Sequence, residues 1–192
     1  MEIFLVGYGT LLHRGSLGHS IGHDSAENKR VVPVVVHGYR RLFNLRPTHY
    51  ETSYKLHEEP IENAAMNVEP AAGAHLNGLG FSVTIDELES LDERERYYLR
   101  RAVPIHHFDT GELVGEGHIY ISEPDASWIE RDPGKLMPLW RDIVWARTGA
   151  YRVSEAFGRS YDETTYLADG RSLMVDCYRD VVDDTSDVPL PD

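Results

Sequence analysis

Glu2-Ile3-Phe4-Leu5-Val6-Gly7-Tyr8-Gly9-Thr10-Leu11-Leu12 is an apolar run that stops in two glycines around a tyrosine. A buried strand breaking into Gly-x-Gly marks a place where backbone comes close to something. Exposed N–H groups in such a turn can cradle an anion or an oxyanion. Equally, the glycines can simply lead the chain out of a sheet. Gly7 and Gly9 lack the third glycine of a dinucleotide loop, Leu12 standing in its place, and no phosphate-binding G-x-x-x-x-G-K-[ST] occurs.

Working outward, Val31 to Leu45 is β-branched and aromatic, with Gly38 as a bend or bulge. Leu12 to Lys29 reads as loop with at most one helical turn. Arg46 to Asn63 is a polar excursion, a lid or specificity loop or simply surface. Ala64 to Val68 reads as a short strand, Pro70 to Gly73 as a turn, and Leu76 to Val83 as a further strand. Thr84-Ile85-Asp86-Glu87 is a capping box that starts a helix running to about Tyr98. Ala102 to Phe108 and Leu113 to Ser122 form a hairpin about Asp109-Thr110-Gly111-Glu112. Asp132 and Pro133 open a helix carrying Leu136, Leu139, Trp140, Ile143 and Val144, which Gly149 can end. A shorter helix is expected around Tyr161 to Leu167. Strands early and helices late indicate an α+β fold with a curled or closed sheet. We expect one domain over 1–180 and an acidic, mobile tail over 181–192.

The helix from Ile85 contains a misplaced charge. Ile85, Leu88, Leu91, Tyr98 and Leu99 gather on one face at about 100° per residue, whereas Asp86, Glu89, Glu93 and Arg96 lie opposite. Glu95 falls inside the apolar stripe. A carboxylate there is desolvated unless paired or lining a cavity, and desolvation raises its pKa toward the range of a general acid/base. Two structural readings stand beside that one: the helix ends near Arg94 and frees Glu95 to solvent, or Glu95 pairs with Arg100 or Arg101.

Composition narrows the partners. The 192 residues carry a net charge of −13 and no clustered basic patch, which argues against nucleic acid and anionic membrane. No run of about 18 apolar residues exists to span a membrane. The single cysteine, Cys177, and the lack of a signal-like N-terminus fit a cytoplasmic protein. Gly18-His19-Ser20-Ile21-Gly22 matches G-x-S-x-G, the nucleophile elbow of serine hydrolases, but no buried strand precedes Ser20. His19 and His23 have helical metal-ligand spacing without the glutamate of H-E-x-x-H, and we expect no metal.

Phe4 to Leu11 resembles the strand and YGSL-type loop of the γ-glutamylcyclotransferase superfamily. Leu91-Asp92-Glu93-Arg94-Glu95, with Tyr98, Arg100 and Val103 after it, resembles that family's LDxxE segment, and the ChaC-type branch in particular. His37-Gly38-Tyr39-Arg40-Arg41-Leu42-Phe43 is similar to its second-strand segment. The resemblance runs from about Ile3 to Ile121. It implies a small mixed α/β barrel with helices packed outside, a cofactor-free reaction, and a small γ-glutamyl substrate cyclised to 5-oxoproline with release of an amine, amino acid or dipeptide such as the Cys-Gly of glutathione. It places the catalytic glutamate at Glu95 and substrate binding at Tyr8, Gly9, Thr10 and Leu11. Thr10 stands where serine is usual and keeps the hydroxyl. In the later helix Trp140 is the best match to a tyrosine near the substrate in some members; its place on the apolar stripe equally makes it core. A binding module without turnover on the same fold is the rival to an enzyme, with oligomeric state open.

Overall fold

A computed structural model describes residues 3–46, 62–123, 126–132 and 134–174. Most of the polar excursion, the acidic tail and Cys177 lie outside the described residues. Among the described residues there are seven strands: β1 (Ile3–Gly7), β2 (Val31–Leu45), β3 (Glu62–Val83), β4 (Leu99–His107), β5 (Leu113–Ile121), β6 (Leu136–Pro138) and β7 (Thr165–Leu167). Five α-helices accompany them: α1 (Arg14–Ile21), α2 (His23–Asn28), α3 (Ile85–Arg94), α4 (Trp140–Val153) and α5 (Glu155–Glu163).

The strands β3, β1, β5, β4 and β2 are neighbours in that order, and β2 pairs back onto β3. The sheet therefore closes into a five-stranded barrel, with β6 and β7 added outside the ring. Strand β1 lies antiparallel to β3 and parallel to β5, which makes the barrel mixed. Closure removes the exposed strand edges that an open sheet would present.

Alternation along the strands separates two apolar sets. Val6, Val34, Val36, Val103, Ile105, Ile119 and Ile121 form one cluster. Leu5, on the other face of β1, joins Phe81 and Val83 under Leu88 and Leu91 of α3 and Leu17 of α1. Burial of each such side chain contributes roughly 1.5–3 kcal/mol. Helix α3 begins at the expected capping box: Thr84 Oγ1 accepts from the Glu87 N–H, and Glu87 Oε2 accepts from the Thr84 N–H at 2.8 Å. Lys29 also reaches Glu87, at 2.6 Å, and ties the helix start to the end of α2.

Several expectations are corrected. The two short strands and turn expected over 64–83 are one continuous strand, β3. It pairs with β2 from Val31↔Phe81 to Leu45↔Ala65, and the register jumps between His37↔His75 and Tyr39↔Pro70. Gly38 (φ +81°) and Gly73 (φ +78°) take the left-handed backbone that lets both strands bend there without separating. Residues 12–29 contain two helices instead of a loop. Their stabilisation comes from close packing, since a Cβ on Gly18 would lie 2.5 Å from the His23 ring; a periodicity argument does not register that. Helix α4 starts only at Trp140, because Leu136–Pro138 pairs as β6 beside Glu62–Ala64. Gly149 lies within α4 and does not end it. The later helix, expected over 161–167, is α5 (Glu155–Glu163), capped by Ser154, whose hydroxyl accepts from the Phe157 N–H, and Thr165–Leu167 is strand β7 instead. Among the described residues, no helix is long and apolar enough to cross a membrane.

Candidate active site

Strand β1 ends in the turn that opens the sequence. Thr10–Leu12 forms a single 3₁₀ turn, closed by bonds from Leu12 N–H to Gly9 O and from His13 N–H to Thr10 O, each 3.0 Å. The Thr10 and Leu11 N–H groups belong to the first turn and have no partner within it, so they are available to an acceptor. Neither Gly7 nor Gly9 has positive φ. They serve close approach instead: a Cβ on Gly7 would meet Leu11 Cβ at 2.8 Å, and one on Gly9 would meet Met66 Sδ at 3.1 Å.

Tyr8 is held at both ends. Its hydroxyl donates to Tyr120 O, and its carbonyl accepts from Arg41 Nη1 at 2.8 Å. Arg41 is fully buried. It donates also to Asn77, Tyr161 O, Thr164 and Thr165, and its guanidinium lies 3.9 Å from the centre of the Tyr161 ring. All of these acceptors are neutral. Burial accordingly lowers its pKa to about 10. A planar fork satisfied on every side suits such a position better than an ammonium would.

Glu95 caps the C-terminus of α3, its N–H donating to Leu91 O at 2.9 Å. The helix thus ends at Arg94, earlier than the periodicity predicts, and Ile85 and Leu99 of the expected stripe are exposed. The carboxylate is nevertheless only 17% exposed. The chain turns back at once, with Tyr98 N–H on Glu95 O, and the Tyr98 hydroxyl donates to Met66 O at 2.7 Å. Burial raises the Glu95 pKa, and the Arg94 guanidinium, 3.1 Å away, offsets part of that. The same enclosure holds the Tyr8 and Tyr98 hydroxyls well above their ordinary pKa: burial is the main cause in both, with the Glu95 charge adding to it. Arg100, the alternative partner, pairs with Asp92 at 2.7 Å.

Glu95, Tyr8, Gly9, Thr10 and Leu11 line one cavity of about 740 Å³. Arg94 joins its parts. From one guanidinium it reaches Glu95, Thr10 Oγ1 (3.0 Å), Ser16 O (2.8 Å) and Ser20 Oγ (2.8 Å). The Thr10 hydroxyl therefore accepts a bond from the residue beside the carboxylate.

Trp140 does not belong to this group. It is 52% exposed at the first position of α4 and lies outside the cavity lining, so it is neither core nor wall. The helix starts at Trp140, and the inward face comes later; Trp145 lines the cavity instead. Asp142 lines it too, 22% exposed and 3.5 Å from Arg141, its pKa raised by burial. Sequence reading missed it, because an acid in the first turn of a helix is ordinary complementation of the helix dipole. Ser20 sits inside α1, where the strand-to-helix elbow of a serine hydrolase is absent. His19 and His23 pack edge to face. Among the described residues, no group of three or more His, Cys, Asp or Glu is placed to hold a metal ion.

No family model matches the sequence, and no curated protein does. Solved structures do match. A γ-glutamyl cyclotransferase superposes with a TM-score of 0.62 at 12% identity, over 84% of this chain and 86% of the other. An uncharacterised protein from Homo sapiens gives 0.63 at 12% identity, over 83% and 86%. A yeast γ-glutamyl cyclotransferase described as specific to glutathione gives 0.51 at 12% identity, over 85% and 97%. The closed barrel, its outer helices and these superpositions agree: the chain has the γ-glutamylcyclotransferase fold.

Proposed function

We propose that this protein is a γ-glutamylcyclotransferase, releasing 5-oxoproline from a γ-glutamyl compound with Glu95 as general acid/base. The observation that carries the reading is the buried Glu95 carboxylate, its pKa raised, facing the same cavity as the 3₁₀ turn. The α-ammonium of the substrate gives one proton to Glu95 and becomes a nucleophilic amine. Its nitrogen attacks the γ-carbonyl carbon and closes a five-membered ring. The oxyanion that forms takes hydrogen bonds from the first-turn N–H groups of Thr10 and Leu11. Collapse breaks the original γ-amide bond as Glu95 gives the first proton to the departing nitrogen, and the second proton of the ring nitrogen then passes through the freed carboxylate to the released amine, which leaves as an ammonium. Atoms and protons balance, and the nucleophile belongs to the substrate. Thr10, tethered by Arg94, keeps the turn at a fixed distance from the carboxylate.

The test is incubation with glutathione, γ-glutamyl amino acids and γ-glutamyl amines, measuring 5-oxoproline against released amine. Glutathione comes first because one structural neighbour is described as specific to it. One-to-one release from at least one compound is expected. If a broad panel yields none while a γ-glutamyl compound still raises the melting temperature, the protein is a binding module on this fold.

A further inference from the structure

Behind the 3₁₀ turn lies a second cavity, of about 270 Å³, separate from the one that holds Glu95. Leu12, Leu17, Leu79, Phe81 and Val153 give it apolar walls. Three polar side chains, His13, Arg14 and Arg152, interrupt them. His13 lines the cavity and is 8% exposed, yet its Nδ1 is buried with no hydrogen-bond partner. A buried nitrogen in that condition is destabilising unless something else bonds it. Arg152 also lines the cavity; it is exposed and makes no hydrogen bond or ion pair among the described residues. Arg14, on the same rim, is already engaged with the carbonyls of Ala26, Glu27 and Lys29. Glu27 is close enough to His13 to oppose the lowering of its pKa that burial and Arg152 produce. The imidazole is therefore neutral near pH 7 and keeps one N–H to donate.

We infer that this cavity binds a small amphipathic carboxylate, with the apolar chain among Leu12, Leu17 and Val153 and the carboxylate on Arg152 and the His13 ring. Apolar walls with a few convergent polar groups are the usual make-up of a small-molecule site. A free guanidinium at an apolar mouth selects for an anion over a neutral alcohol. The site touches the first cavity through shared parts: Leu11 lines both, and the His13 ring stacks on Trp145 with 6.0 Å between ring centres. The inference does not depend on the cyclotransferase reading.

Hexanoate is the probe, and hexan-1-ol its uncharged counterpart. Each is titrated into the full-length isotope-labelled protein while the His13 ring and the Leu12 and Leu17 methyl resonances are followed. Hexanoate is expected to give saturable shifts at these positions below about 10 mM. Hexan-1-ol, and hexanoate with Arg152→Gln, are expected to bind about tenfold or more weakly. Arg152 is exposed, so the variant leaves the core intact. Absence of saturation, equal affinity in wild type and Arg152→Gln, or shifts confined to the residues around Glu95 would each overturn the inference.

Discussion

Gly149→Ala puts the placement of the turn to a quantitative test. Helix propensity alone favours the change by about 1 kcal/mol in the interior of a helix. Geometry opposes it. A Cβ at position 149 would lie 2.5 Å from the carbonyl carbon and oxygen of Leu12 and 2.9 Å from the His13 nitrogen. The turn must therefore retreat by about 0.9 Å, the difference between 2.5 Å and the 3.4 Å at which ordinary contact begins. The obstacle is backbone, which cannot rotate aside as a side chain can. Overpacking of this kind costs about 1–3 kcal/mol, so the net effect, after the gain of about 1 kcal/mol in propensity, is destabilisation by up to about 2 kcal/mol. With an m-value of about 2 kcal/mol/M, the urea midpoint falls by up to about 1 M. The displaced backbone carries the Thr10 and Leu11 N–H groups, and a misplacement near 1 Å is worth about a hundredfold in rate. Urea denaturation and 5-oxoproline release measure the two effects. A higher urea midpoint with unchanged kcat/KM would refute the claim that α4 fixes the turn.

Three other predictions concern charge. Arg94→Gln removes the guanidinium that joins Thr10, Ser16 and Glu95; kcat is expected to fall about tenfold or more, and the acid limb of the pH–rate profile to move to higher pH, because the Arg94 charge holds the Glu95 pKa down. Glu95→Gln is expected to flatten the pH dependence of stability. The folded-state pKa of Glu95 is raised, so its contribution is full below the unfolded value near 4.5 and is lost as pH rises through the folded value; urea midpoints of both proteins across pH 4–8 check this. Arg41→Ala leaves Tyr8 O, Asn77 and Thr164 without their donor. With several neutral buried acceptors orphaned at about 1–3 kcal/mol each, it is expected to cost about 3 kcal/mol or more, read from denaturation midpoints.

Much of the barrel is legible from the chain. The β-branched run of β2, the hairpin of β4 and β5, and the capping box at Thr84 each carry a local signal that tertiary packing does not override. Glu95 is legible for the opposite reason, as a charge in an apolar stripe. Glu95 belongs to that stripe only in a continuing helix, and the helix ends at Arg94; the carboxylate stays inward because Tyr98 turns back to Met66. Other parts were hidden. Helices α1 and α2 rest on glycine contacts such as Gly18 against His23, which leave no periodicity. Strand β6 shifts the start of α4, and with it the inward position passes from Trp140 to Trp145. Arg41 reads only as one of a basic pair within an apolar run; its role appears once β1, β3 and α5 surround it. Arg94 and Asp142 look like ordinary helix-end charges until the cavity is closed around them.

The central claim is that Glu95 moves the protons of an intramolecular cyclisation. Its most direct test is 5-oxoproline release by wild type and Glu95→Gln, on the γ-glutamyl compound that wild type turns over best, with both proteins shown to be folded. General acid–base catalysis is worth about 10²–10⁴-fold. The variant is expected to lose kcat within that range and to bind the substrate with little change in affinity. Equal 5-oxoproline release from the two proteins would contradict the assignment.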